Sequence, residues 1–144
     1  MNEKIERFSK ELHAKLDGMD KRLKDLTVSA KGATEKAKVE AKAQLAALEC
    51  RAKEQHAKVQ SAEARTKAWL EEKKTATREK IAAWKEQRDV KKLASLADST
   101  EQYAVASMQL AAAAVDEAER AAVAAVVARM DADAAQQTSP AKSV

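Results

Sequence analysis

Gly18 and Gly32 lie in the first quarter of the chain and Pro140 in its last residues, so nothing between Thr34 and Asp133 obliges a helix to stop. A β-fold of this length needs many tight turns, and the residues that make them are missing. What fills the stretch is Ala, Lys, Glu, Arg, Leu and Gln, which lose little rotamer freedom on a helix. Of 144 residues 34 are Ala, while Phe, Trp, Tyr and Pro together number five, so large side chains are too few for a thick core. Helices of this kind pack along narrow stripes. The sequence therefore predicts an all-α fold: an elongated coiled coil or an antiparallel helical hairpin of two to three long helices.

The apolar spacing agrees. Leu12, Leu16, Met19, Leu23, Leu26, Ala30, Ala33 and Ala37 follow in alternating steps of four and three, as a coiled-coil seam requires. Ala37, Ala41, Leu45 and Leu48 then step by four, four and three, a stutter that locally unwinds a left-handed supercoil. Heptad spacing resumes through Ala52, Gln55, Val59, Ala62, Thr66, Trp69 and Lys73, and a second stutter through Thr77 brings Ile81 and Trp84 onto the same stripe. From Gln102 to Met130 Ala and Val dominate. There Met108, Val115, Ala122 and Val126 form one stripe, with Asp116, Glu117, Glu119 and Arg120 placed mostly elsewhere. The expected interaction seam is thus Leu12, Leu16, Met19, Leu23, Leu26, Leu45, Leu48, Val59, Trp69, Ile81, Trp84, Met108, Val115 and Val126.

Two places could bend the chain. Thr27–Thr34 combines β-branched residues with Ser29 and Gly32, and Asp98–Glu101 offers a cap with a capping-box partner three residues on. With both breaks the chain divides into an N-terminal amphipathic helix (1–31), a long basic coiled-coil helix (32–97), an Ala/Val-rich acidic helix (98–134) and a disordered tail (135–144). Residues 1–97 hold 24 Lys/Arg against 16 Asp/Glu, and residues 98–144 hold 3 against 7, so the two parts attract each other.

No chemistry stands out. Catalysis needs convergent groups, and neither His13 nor His56 has a nucleophile and an orienting acid at workable spacing. His13 and Asp17 are one turn apart, but Glu-x-x-His motifs for a di-iron bundle are missing. Asp131 and Asp133 read as solvated charges rather than cation ligands. Two isolated glycines make no phosphate loop. Cys50 falls between Leu48 and Ala52, on the outer face, and pairs with no second cysteine. No catalytic residue, cofactor, metal or small-molecule substrate is therefore expected. The unpaired thiol and the acidic, signal-free start MNEKIERFSKEL suit a cytoplasmic protein. The longest uncharged run, Gln102–Val115, is 14 residues, short of the roughly 20 that span a bilayer.

The one stretch with several readings runs from Trp69 and Leu70 through Lys73, Lys74, Arg78, Lys80, Ile81, Trp84 and Lys85 to Arg88. It suits plain helix packing, contact with an anionic membrane or granule surface, or phosphate neutralisation. Glu71, Glu72, Glu79 and Glu86 interleave the cations and favour the first over the last.

Tyr103–Arg120 together with Ala128–Asp133 resembles the C-terminal part of small, uncharacterised bacterial Ala-rich coiled-coil proteins, a resemblance that covers about a third of the chain and implies no activity. The Ala/Lys/Glu run 33–42 is similar in composition to desiccation-protective late-embryogenesis proteins and to phasins, which coat polyester granules. The expected function is that of a non-enzymatic helical interaction or scaffold protein that self-associates as a homo-oligomer or binds a partner helix. A phasin-like or membrane-peripheral coat is the alternative, and nucleic-acid association the weakest.

Overall fold

The computed structural model describes residues 3–32 and 34–138. Ala33 of the expected seam, and the part of the expected tail from 139 to 144 that includes Pro140, lie outside them. Four helices follow in order: α1 Glu3–Lys31, α2 Glu35–Thr75, α3 Arg78–Glu86 and α4 Val90–Thr138. They pack into two compact units, each drawing segments from several helices. The expected elongated coiled coil or hairpin of two to three long helices is thereby corrected. Four helices form, and they pack as bundles.

The extra helix ends are made without glycine or proline at the break. Near Thr75 the side-chain hydroxyl turns back onto the Glu72 carbonyl at 2.7 Å, competing with the backbone ladder. Two residues on, Thr77 is extended and its Oγ1 accepts the Lys80 amide at 3.3 Å, starting α3. α3 ends nine residues later in a paired-amide closure: the Asp89 amide donates to Trp84 O at 2.9 Å and the Arg88 amide to Lys85 O at 3.2 Å. That closure needs a left-handed residue, and Arg88 supplies it at φ 53°. Asp89 then caps α4 by accepting the Lys92 amide at 3.2 Å. The long basic helix expected over 32–97 is interrupted by these two turns.

The first expected bend is present. α1 stops at Lys31, and Thr34 Oγ1 accepts the Ala37 amide at 3.1 Å to open α2. At Asp98–Glu101 the helix runs straight through. Ser99 and Thr100 donate their hydroxyls to Leu96 O at 3.1 and 2.7 Å, so these side chains satisfy themselves inside a helix instead of starting one.

One unit comprises Ala14–Glu54 and Ala114–Val144, and its core is Leu26, Ala41, Leu48, Val123 and Val127. Leu23, Leu45, Val126 and Met130 pack around that core. Here α1 and α2 run antiparallel, and α4 pairs with both. The other unit comprises Met1–His13 and Gln55–Ala113. It buries Ala62, Val105 and Ala106, and stacks Trp69 of α2 on Tyr103 of α4 with ring centroids 4.0 Å apart.

Arg88→Gly removes the cost of a side chain in the left-handed region and is expected to raise unfolding free energy by about 1 kcal/mol. Asp89→Ala removes the cap beside it and should lower stability by about 1 kcal/mol. Urea titration of both variants reads the two opposite signs. Leu48→Ala, in the core of the other unit, should cost about 3 kcal/mol in the same assay.

Candidate functional site

In the unit formed around Gln55–Ala113, the break after Thr75 bends the chain at Ala76 and leaves one flank of α4 uncovered at Leu96–Thr100. The result is a groove of about 380 Å³ with an apolar interior of Trp69, Ala76, Ile81 and Leu96. Volumes of this size hold small ligands or the anchor side chains of a partner. Trp69 is held rigidly, because Tyr103 stacks on one face of its ring at an interplanar angle of 16°. Lys73 Nζ lies 5.0 Å over the same indole, a cation–π contact at the groove mouth. Arg78, the first residue of α3, stands beside it with Glu72. Neither Lys73 nor Arg78 has an ion-pair partner among the described residues. A shallower recess adjoins it, where Leu70 is 48% exposed and Lys74 pairs with Glu71 at 3.1 Å. Residues 65–92 carry ten Lys/Arg against five Asp/Glu, the densest positive charge of the chain.

The second constellation lies in the other unit and is buried. Glu119 is 2% exposed and Asp116 8%. Arg22 of α1 meets the Glu119 carboxylate through Nε at 3.0 Å and Nη2 at 2.6 Å, a two-pronged geometry that only arginine makes. This hydrogen bond holds the guanidinium above even its usual range. Gly18 makes room for it, since a Cβ there would stand 3.0 Å from Arg22 Nη1. Asp116 Oδ1 takes Lys15 at 2.9 Å and lies 3.9 Å from Arg51, while Oδ2 is buried with no hydrogen-bond partner. Further along α4, Asp131 sits between Lys38 at 3.1 Å and Lys42 at 3.4 Å. The Lys38 hydrogen bond, then that of Lys42, holds its carboxyl below the usual carboxylate range. Carboxylates of α4 therefore do meet cations of α1 and α2, as the charge asymmetry implied.

The expected seam residues scatter over both units. Leu26 and Leu48 are buried, and Leu23, Leu45 and Val126 pack against them. Leu12, Met19, Val59, Met108 and Val115 are half-buried, and Leu16 is 42% exposed. Trp69 and Ile81 line the groove, and half-buried Trp84 carries Lys92 over its ring at 5.7 Å. On α4 the most buried residues are Val105, Ala106, Asp116, Glu119, Val123 and Val127 rather than the Met108–Val115 stripe. Asp116 and Glu119 were placed off that stripe. A signal for them existed: Asp116 lies seven residues before Val123 and Glu119 seven before Val126, while Lys15 and Arg22 repeat at the same interval on α1.

Among the described residues no group of three or more His, Cys, Asp or Glu side chains is placed to hold a metal ion. His13 and His56 are exposed, as is Cys50, whose thiol lies 3.7 Å from Glu54 Oε1. Among the same residues no helix is long and apolar enough to cross a membrane. No protein-family model matches this chain, and neither a curated protein nor a solved structure does.

Removing one partner of a buried pair strands the other charge. Arg22→Met is expected to lower unfolding free energy by about 3 kcal/mol, whereas Arg22→Met with Glu119→Met should restore wild-type stability or exceed it. A thermal or urea double-mutant cycle measures the difference. Asp131 has its folded pKa depressed from 3.8, so its pairing stabilises the fold above that value and is lost as pH falls through the lower folded value. Asp131→Asn should flatten the acid limb of a melting-temperature profile below about pH 4 and lower the melting temperature at neutral pH.

Proposed function

We propose that the chain is a non-enzymatic helical interaction module that engages another helix, from a partner or from a second copy of itself. The observation that carries this reading is the groove at the α2–α3 turn. An apolar recess rimmed by unpaired cations, on a chain made entirely of helices, suits the helix-in-groove mode of recognition. The aliphatic seam supports it differently from what its spacing implied. Leu23, Leu26, Leu45 and Leu48 are occupied inside the chain, so they hold the bundle and are unavailable to a partner. Beside the groove, Leu70 stays 48% exposed and Trp69 half-buried, so apolar surface remains outward there.

The coating alternative uses the same stretch with less support. A coat protein inserts its tryptophans into an apolar phase. Here Trp69 has one face covered by Tyr103 and Lys73 over its ring, and Trp84 has Lys92 over it.

In-line light scattering over a concentration series, combined with tryptophan emission, tests the proposal. Self-association gives a mass that rises with concentration and falls back in Leu70→Lys. Engagement of a partner helix gives a constant monomer mass, with an emission shift when an amphipathic helical peptide is added. A monomer whose emission no such peptide alters would sink the proposal.

A further inference from the structure

Cations that face α4 in one unit are matched: Lys15 to Asp116, Arg22 to Glu119, Lys38 and Lys42 to Asp131. Those at the groove mouth in the other unit are not. Among the described residues Lys73 has only the Trp69 ring and Arg78 has no ionic partner, and Glu72 is the one carboxylate lining the groove. The charge around them is positive as well, at ten Lys/Arg to five Asp/Glu over residues 65–92. An occupant that covers the apolar interior must bring its own charges past this rim, and anionic ones are favoured both in steering and in contact.

The geometry points to an acidic amphipathic helix of a partner protein as that occupant, an assignment that rests on the reading of the chain as a helix-binding module. The interior runs from Trp69 in the last turns of α2 to Ala76 just past its end, seven residues or about 10 Å at helical rise, which matches two apolar side chains seven apart on a helix lying alongside. Those two anchors cover Trp69, Ile81 and Leu96, and flanking carboxylates meet Lys73 and Arg78. A bilayer or a nucleic-acid duplex shares the negative charge, but neither has a side chain to fill a recess.

The test uses the full chain and three dye-labelled helical peptides with the same two leucines seven residues apart, their flanks built from Glu, Gln or Lys. Fluorescence anisotropy at low salt reads binding. The Glu peptide should bind about tenfold more tightly than the Lys peptide. Lys73→Glu with Arg78→Glu, both exposed, should weaken the Glu peptide about tenfold and strengthen the Lys peptide, with the helical circular dichroism unchanged. Ala76→Met, which fills the groove, should weaken the Glu peptide without altering the rim charge. An unchanged Glu-peptide affinity in the charge-reversed variant would overturn the inference. So would displacement of the Glu peptide by phosphatidylglycerol vesicles or by a random-sequence duplex as readily as by unlabelled peptide, because rim charge alone would then explain binding. Equal affinity for all three peptides refutes the acidic partner while leaving helix binding intact. No binding by any peptide, with a monomeric mass, refutes both.

Discussion

Glu119 is the largest side chain that the described residues bury completely, and it is charged. Most residues of α4 around it are Ala and Val, small side chains that let helix axes approach closely but present little relief by which one register differs from the next. A buried carboxylate behaves otherwise. Shifted by a turn, it loses the Arg22 fork and is left unpaired in an apolar setting, at a cost of several kcal/mol. Lys15 and Asp116 repeat the constraint seven residues earlier on α1 and three earlier on α4, so α1 and α4 run parallel at a defined stagger. At that stagger Leu26 of α1 meets Ala41, Leu48, Val123 and Val127 in one hydrophobic cluster. Apolar burial supplies the stabilisation, and the ion pairs select the arrangement.

Local backbone chemistry shapes the other unit. Thr75 and Thr77 end one helix and begin the next, and Arg88 with Asp89 turns the chain again into α4. The groove opens where α2 ends at Thr75 and α3 begins at Arg78, beside Leu96 of α4. The groove is therefore a by-product of two helix ends. Its rigidity comes from the Trp69–Tyr103 stack, and its charge from cations with no carboxylate on α4 opposite them.

Several of these features were legible in the residues and several were not. Leu23, Leu26, Leu45 and Leu48 are large aliphatics at helical spacing, and they pack in or against one core. On α4 Val126 packs against the same core, while Met108 and Val115 are half-buried. Met108 and Val115 are the larger side chains there, but in a segment where most residues are Ala or Val apolar spacing fits many faces at once. The chosen face turns on Asp116 and Glu119, which looked like surface residues because carboxylates usually are. Helix ends were half legible: Thr27–Thr34 held a glycine, whereas Thr77 and Asp89 could not be told from Asp98 and Ser99 as caps. Each is a short polar side chain able to bond a nearby amide, and Ser99 turned instead to the carbonyl behind it.

The sequence by itself determined that this chain is helical nearly throughout, that its large aliphatic residues would face other helices, and that its basic and acidic parts would meet. Those properties follow from residue type and spacing, which act within a few turns of the backbone. Tertiary structure decided the number of helices, which partner each stripe received and which charges were buried. An ion pair is selected by what lies opposite it, and that neighbour can stand about a hundred residues away, as Arg22 and Glu119 do.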